Sequence, residues 1–150
     1  MTTRSRHDSV SIDIAAPPEA VYALVADIPR MGEWSPECYS CQWTKGATSA
    51  VVGAKFKAKN KGKRGPSWFN TPVITVADPG KELAFNRSGP GIGSYTFRYT
   101  FEPTDGGTLV TEEWDARPAK NRFFLKLMGF PQRNRAGMKA TLDNLARLAK

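Results

Sequence analysis

The sequence is poor in the residues from which most catalytic and metal sites are built. Histidine occurs once, as His7, which excludes a histidine-based triad and a multi-histidine metal site. Cysteine occurs twice, as Cys38 and Cys41, and no second Cys or His pair exists to complete a zinc site. The pair lies in a strand-like run, where residues three apart point to opposite faces. Two unlinked structural thiols that do not meet are therefore expected, and no metal. No apolar run approaches the roughly 20 residues of a membrane span. Met1 to His7 put no apolar stretch behind their charges, so no signal peptide is expected and the reducing cytoplasm is the expected compartment. Gly89-Pro90-Gly91-Ile92-Gly93 fits neither a phosphate loop nor a dinucleotide fingerprint, so it reads as a strand connection. No cofactor is expected.

Acidic residues are scarce in two stretches. Lys and Arg total 22 against 14 Asp and Glu, a net charge of +8. Cys38 to Ala77 contains no acidic residue against seven basic ones, and from Arg117 to Lys150 Asp143 alone faces nine. A basic face suits nucleic acid or an anionic surface, because phosphate neutralisation supplies most non-specific affinity. The expected reading is a solvated face that keeps the protein soluble, with the lysine ladder exposed to water. No recognised nucleic-acid motif accompanies the charge, so no specific nucleic-acid partner is expected, and contact with an anionic surface would be weak. The densest stretch, Lys55 to Lys63, has lysine at every second position. In a strand this puts Lys55, Lys57, Lys59, Lys61 and Lys63 on one face and Phe56, Ala58 and Asn60 on the other.

What remains is the composition of one globular domain spanning residues 1–150, with 40% apolar and 24% charged residues. Ser9 to Ile14 alternates as a strand with Val10, Ile12 and Ile14 on one face. Pro17-Pro18 opens a helix striped with Val21, Leu24, Val25 and Ile28. Pro29, Gly32 and Pro36 leave room for a second short helix near Trp34. Six further strands follow: Tyr39–Trp43, the lysine ladder, Trp68–Val76, Leu83–Arg87, Tyr95–Phe101 and Thr108–Ala116. Asp78-Pro79-Gly80 and Asp105-Gly106-Gly107 mark hairpin turns. From about Asn121 the period becomes helical, with one stripe at Phe124, Leu127 and Met128 and another at Met138, Leu142, Leu145 and Ala149. Gly129 and Pro131 kink or split that helix. Consecutive hairpins make an antiparallel sheet whose apolar face needs a cover, and the last helix supplies it. The class is α+β, with a small-ligand cavity expected between sheet and helix.

Val10-Ser-Ile-Asp-Ile-Ala-Ala-Pro-Pro-Glu-Ala-Val-Tyr22, Asp27 and Trp34-Ser-Pro-Glu37 resemble the START / polyketide cyclase (SRPBCC) superfamily. Asp78-Pro-Gly-Lys-Glu-Leu-Ala-Phe85, Gly107-Thr-Leu-Val-Thr-Glu-Glu-Trp114 and Arg135-Ala-Gly-Met-Lys-Ala-Thr-Leu142 resemble its later strands and closing helix. The subgroup it is most similar to is that of polyketide cyclase/dehydrase and lipid transport. The resemblance implies a helix-grip fold, here a curved seven-stranded antiparallel sheet wrapped around a long C-terminal helix. It also implies a hydrophobic cavity for a lipid, fatty acid or polyketide-like molecule. Fold alone does not carry a reaction.

Alternation nominates the lining. Tyr95, Phe97, Tyr99 and Phe101 share a face, as do Leu83, Phe85 and Arg87, and Val110, Glu112 and Trp114. Trp34, Phe56, Trp68, Asn70, Phe124, Met128 and Met138 complete the candidates. An unpaired buried charge is costly, so Glu112 and Arg87 should pair with each other, bind water or serve a ligand. Two functions follow: a binder of a small hydrophobic molecule, or a cyclase, aromatase or dehydratase using Glu112, Arg87 and cavity tyrosines. Monomer and homodimer both stay open.

Overall fold

Sequence alternation is carried into backbone pairing in nearly every strand. The computed structural model describes residues 7–61, 67–89, 93–116 and 130–149. Strand β1 (His7–Ile14) starts ahead of the alternating run, because His7 pairs with Asp115 and its Nε2 meets Glu113 Oε2 at 2.7 Å. Helix α1 (Pro18–Ala26) follows, burying Val21, Tyr22, Leu24 and Val25. Proline suits its first turn, where the missing N–H would have had no partner. A 3-10 segment (Ile28–Glu33) then buries Ile28 and Met31.

Strands β2 (Cys38–Trp43), β3 (Phe56–Asn60) and β4 (Trp68–Asn70) form one antiparallel sheet in that order. Strands β5 (Val73–Asp78), β6 (Glu82–Gly89), β7 (Gly93–Thr104) and β8 (Gly107–Asp115) join β1 in a second sheet, ordered β1-β8-β7-β6-β5. The sheet is thus five strands plus three, and not one of seven. The run from Trp68 to Val76 is what divides. Pro72 has no N–H to give a ladder, and its carbonyl accepts from Phe56 N at 3.2 Å. The chain on one side of it stays with β3 and on the other side pairs with β6. The two sheets meet along a narrow strip. There Lys55 bridges Val73, Gly53 N donates to Ile74 O and Ile74 N to Ala54 O, each at 2.8 Å.

The closing helix α2 (Phe130–Leu148) packs on β1 and touches β8 and α1. It buries Met138, Leu142 and Leu145, the stripe expected at helical spacing. Arg135 Nη1 ties it to β1 by donating to Asp8 Oδ1 at 2.7 Å. The expected earlier stripe, with Phe124 and Met128, lies outside the described residues.

The cysteines correct the sequence reading. Both are free and buried, but their Sγ atoms lie 2.9 Å apart. The register explains this: Cys38 opposes Asn60 and Ser40 opposes Lys59, so Tyr39 is an extra residue without a partner. Such a bulge reverses the alternation beyond it, and Cys38 and Cys41 therefore face the same way. Cys41 also lies 3.5 Å from Met31 Sδ. The hydrogen bond to Cys38 and burial push the Cys41 thiol up, and the same contact draws Cys38 down.

Gly107 ends the β7–β8 turn where the chain runs against β1. A Cβ there would collide with Ile14 O and stand 2.9 Å from Ala16 N, both backbone atoms. The neighbouring Thr108 Oγ1 donates to Ala16 O at 2.7 Å, which holds this approach closed. Gly107→Ala is expected to lower stability by about 1–3 kcal/mol, the usual range for an overpacked site. Chemical denaturation measures it, and a loss within about 0.5 kcal/mol, the ordinary spread of surface changes, would contradict it.

Candidate functional site

Strands β6, β7 and β8 are neighbours in the ladder, so their inward residues form a grid. Phe85 opposes Phe97, Phe97 opposes Trp114, Leu83 opposes Tyr99, and Tyr99 opposes Glu112. All six are buried. Directly opposed residues share a face, and this face meets Trp34 and the Met138 side of α2. Leu109, the apolar residue that breaks the pattern of β8, opposes Glu102 on the outer face.

A cavity of about 50 Å³ lies between this face and α2. Of the sequence candidates, Trp34, Phe85, Arg87, Phe97, Tyr99, Glu112 and Met138 line it. Phe56, Trp68, Asn70, Tyr95 and Trp114 do not line this cavity. Phe56 is buried where the two sheets meet, its ring centroid 5.5 Å from that of Phe85. Tyr95 packs on Phe97, and Trp114 is buried on β8 opposite Phe97. Trp68 stands on the edge strand β4 and is 37% exposed, while Asn70 on the same strand is half-buried. Phe124 and Met128 cannot be placed, being outside the described residues. The lining also includes Met31, Ser35, Pro36, Glu37, Gly137 and Thr141. Two signals were available: Ser35 to Glu37 continue the Trp34 turn, and Thr141 follows Met138 by one helical step.

The lining also carries polar groups. Glu112 is 3% exposed, and Tyr99 Oη donates to its Oε2 at 2.8 Å. Its Oε1 has no hydrogen-bond partner among the described residues. Burial pushes the Glu112 carboxyl up to about 8, against the opposing pull of the Tyr99 hydrogen bond and the Arg87 charge. Of the three arrangements expected for Glu112 and Arg87, the mutual ion pair does not form. The Arg87 guanidinium lies over two rings instead, 5.0 Å from the Phe97 centroid and 5.7 Å from that of Phe85. Ring faces attract a cation but leave its donors unused, and Arg87 Nε is buried without a partner. Trp34 Nε1 is in the same state, while Asn144 Nδ2 fixes the Trp34 carbonyl at 3.1 Å. At neutral pH the site thus holds a carboxylic acid, a guanidinium and an indole N–H in an aromatic wall. Such a set can receive an oxygen-bearing group.

Antiparallel strands and a C-terminal helix enclosing this cavity are consistent with a helix-grip protein. Residues 6–150 match the family described as polyketide cyclase / dehydrase and lipid transport, and the chain belongs to that family. It is 32% identical over 143 residues to the uncharacterized protein Rv0088 of Mycobacterium tuberculosis, an alignment covering 92% of this chain and 62% of that protein. The chain thus spans less than two thirds of the length of that relative. The Polyketide_cyc-like protein Cgl2372 of Corynebacterium glutamicum is 33% identical, with a TM-score of 0.62 and coverage of 95% of this chain and 90% of that one. The di-domain ARO/CYC StfQ of the steffimycin biosynthetic pathway shares the fold at a TM-score of 0.73 and 13% identity, covering 97% of this chain and 51% of its own.

Proposed function

We propose that residues 1–150 act as one unit that binds a small molecule with an apolar body and an oxygen-bearing head. The observation that carries this reading is the set of unused polar atoms, Glu112 Oε1, Arg87 Nε and Trp34 Nε1, around one aromatic-walled cavity. Native proteins leave few buried polar atoms without partners, so a ligand or water is the natural complement. Family membership supports the apolar part of the reading.

Size limits how the ligand is held. About 50 Å³ takes a few waters or a polar head, whereas pockets for whole drug-sized ligands run to roughly 300–1,000 Å³. The apolar body must therefore displace side chains. Met31 and Met138 are suited to this, because an unbranched thioether changes shape easily. The compartment we assign is reducing, where Cys38 and Cys41 stay thiols.

A second reading is a cyclase, aromatase or dehydratase. It is favoured by Glu112 itself, since a carboxyl that stays protonated near neutral pH and touches Tyr99 is suited to general-acid work.

Titration with a medium-chain fatty acid, followed by tryptophan fluorescence, tests the binding reading. Saturable binding is expected, weakened at least several-fold by Arg87→Gln. No saturable response to any fatty acid or polyaromatic probe would sink it. Conversion of a poly-β-ketone mimic that is lost in Glu112→Gln would move the reading to catalysis.

A further inference from the structure

We propose that the outer face of the β2-β3-β4 sheet docks on an anionic lipid bilayer. The inner side of β3 buries Phe56, Ala58 and Asn60, which leaves Lys55, Lys57 and Lys59 on the outer side. In the ladder Gln42 opposes Lys57, and Ser40 and Phe69 both oppose Lys59, so these residues share the outer face. Phe69 is 64% exposed, and the Lys57 ammonium lies 4.6 Å from its ring centroid. Tyr39 is exposed as well, because the bulge turns it out of the ladder. Just ahead of Lys55, Ala54 N donates to Val51 O and closes a turn whose Val51 and Val52 are both exposed. All the large apolar side chains exposed among the described residues thus fall within 39–69, inside the stretch that has no acidic residue.

Lysine and apolar side chains together discriminate among partners. Rings and valines lose contact with water at the headgroup boundary, while lysine stems lie along the apolar surface and their ammoniums reach lipid phosphates. A second copy of the chain does not fit, since a two-fold contact through this face would set the lysine row against itself. A single-stranded nucleic acid would use the lysines and could stack on Phe69, but it gives Val51 and Val52 no role. The bilayer uses all of them. Beyond β3 the row passes the cavity wall, where Lys61 N donates to the carbonyl of Glu37 at 2.8 Å, and Lys63 lies outside the described residues. The proposal does not depend on what the cavity holds.

Co-sedimentation of the full chain with vesicles tests it. Vesicles of phosphatidylcholine alone are compared with equal parts phosphatidylcholine and phosphatidylserine, at an ionic strength of about 0.15 M. Binding is expected to the mixed vesicles, weakening with added salt, and little to phosphatidylcholine alone. A lysine near an anionic membrane is worth about fivefold in affinity. The combined K55Q, K57Q and K59Q variant should therefore bind on the order of a hundredfold more weakly. A variant carrying V51S, V52S and F69S keeps the charge and should also bind more weakly. Both should melt within a few degrees of the parent, since the sites are at the surface. Absence of binding to mixed vesicles, equal binding to both vesicle types, or unchanged affinity in either variant would overturn the proposal. So would tighter, lysine-dependent retention of a single-stranded oligonucleotide, which would assign the face to nucleic acid.

Discussion

The melting temperature is expected to fall as pH rises from about 4.5 to about 8, and Glu112→Gln is expected to remove most of that slope. Glu112 has an ordinary carboxyl value of 4.5 when unfolded and about 8 in the folded protein. Between those limits the folded chain holds a proton that the unfolded chain has released. Stability therefore drops with pH across the window, is fully present below about 4.5, and has been lost once pH passes about 8. The slope is about 1.4 kcal/mol per pH unit at most. Over the window this amounts to several kcal/mol, or on the order of 10 °C for a chain of this size. The substituted amide keeps an acceptor for the Tyr99 hydroxyl and carries no charge at any pH. Thermal melts of both proteins from about pH 5 to about pH 9 measure the effect, and equal slopes would show that Glu112 is not the group responsible.

Phe85→Ala is expected to cost about 3–5 kcal/mol, the range for removing a buried phenylalanine. Its ring lies 5.5 Å from Phe56, 5.8 Å from Phe97 and 6.5 Å from Tyr99 between centroids, and the Arg87 guanidinium rests on it. The Phe56 contact joins β6 to β3, so the substitution opens space where the two sheets meet as well as in the cavity wall. Phe69→Ala provides the contrast. It removes an equally large ring that is 64% exposed, and a change within about 0.5 kcal/mol is expected. Urea unfolding of the two variants compares them directly. A midpoint for Phe85→Ala close to that of the parent would mean that the ring cluster repacks.

The parts of the fold that could be read in the sequence are those set by local alternation. Tyr95 to Phe101 and Thr108 to Ala116 present their inward sets as expected, because a period of two admits only two faces. The inward Glu112 and Arg87 were legible for the same reason. What failed was anything decided by a single residue or by distant pairing. Tyr39 adds one residue to β2, and this moved Cys38 and Cys41 from opposite sides into contact. Pro72 divides what reads as one continuous strand, and only the partners β3 and β6 show that the division falls between sheets. The missing Arg87–Glu112 ion pair depends on ring faces brought by β6 and β7, which no spacing within the chain encodes. Phe69 illustrates the remaining gap. It reads as part of one strand with Trp68 and Asn70, yet it lies opposite Lys59 on the outer side of an edge strand.

The strip where the sheets meet has a consequence for how the molecule can transmit a signal. The cavity wall is built from β6, β7 and β8, whereas the lysine row and its exposed ring belong to β2, β3 and β4. Among the described residues, the backbone link between the two sheets runs through Gly53, Ala54, Lys55 and Phe56 facing Pro72, Val73 and Ile74. That link resembles the spine of a book. A tilt of the smaller leaf would move Phe56 against Phe85, and so would change the shape of the aromatic wall without breaking a strand. The Phe56–Phe85 ring contact thus joins the two leaves, alongside the contact of Cys41 on β2 with Met31 in the cavity lining.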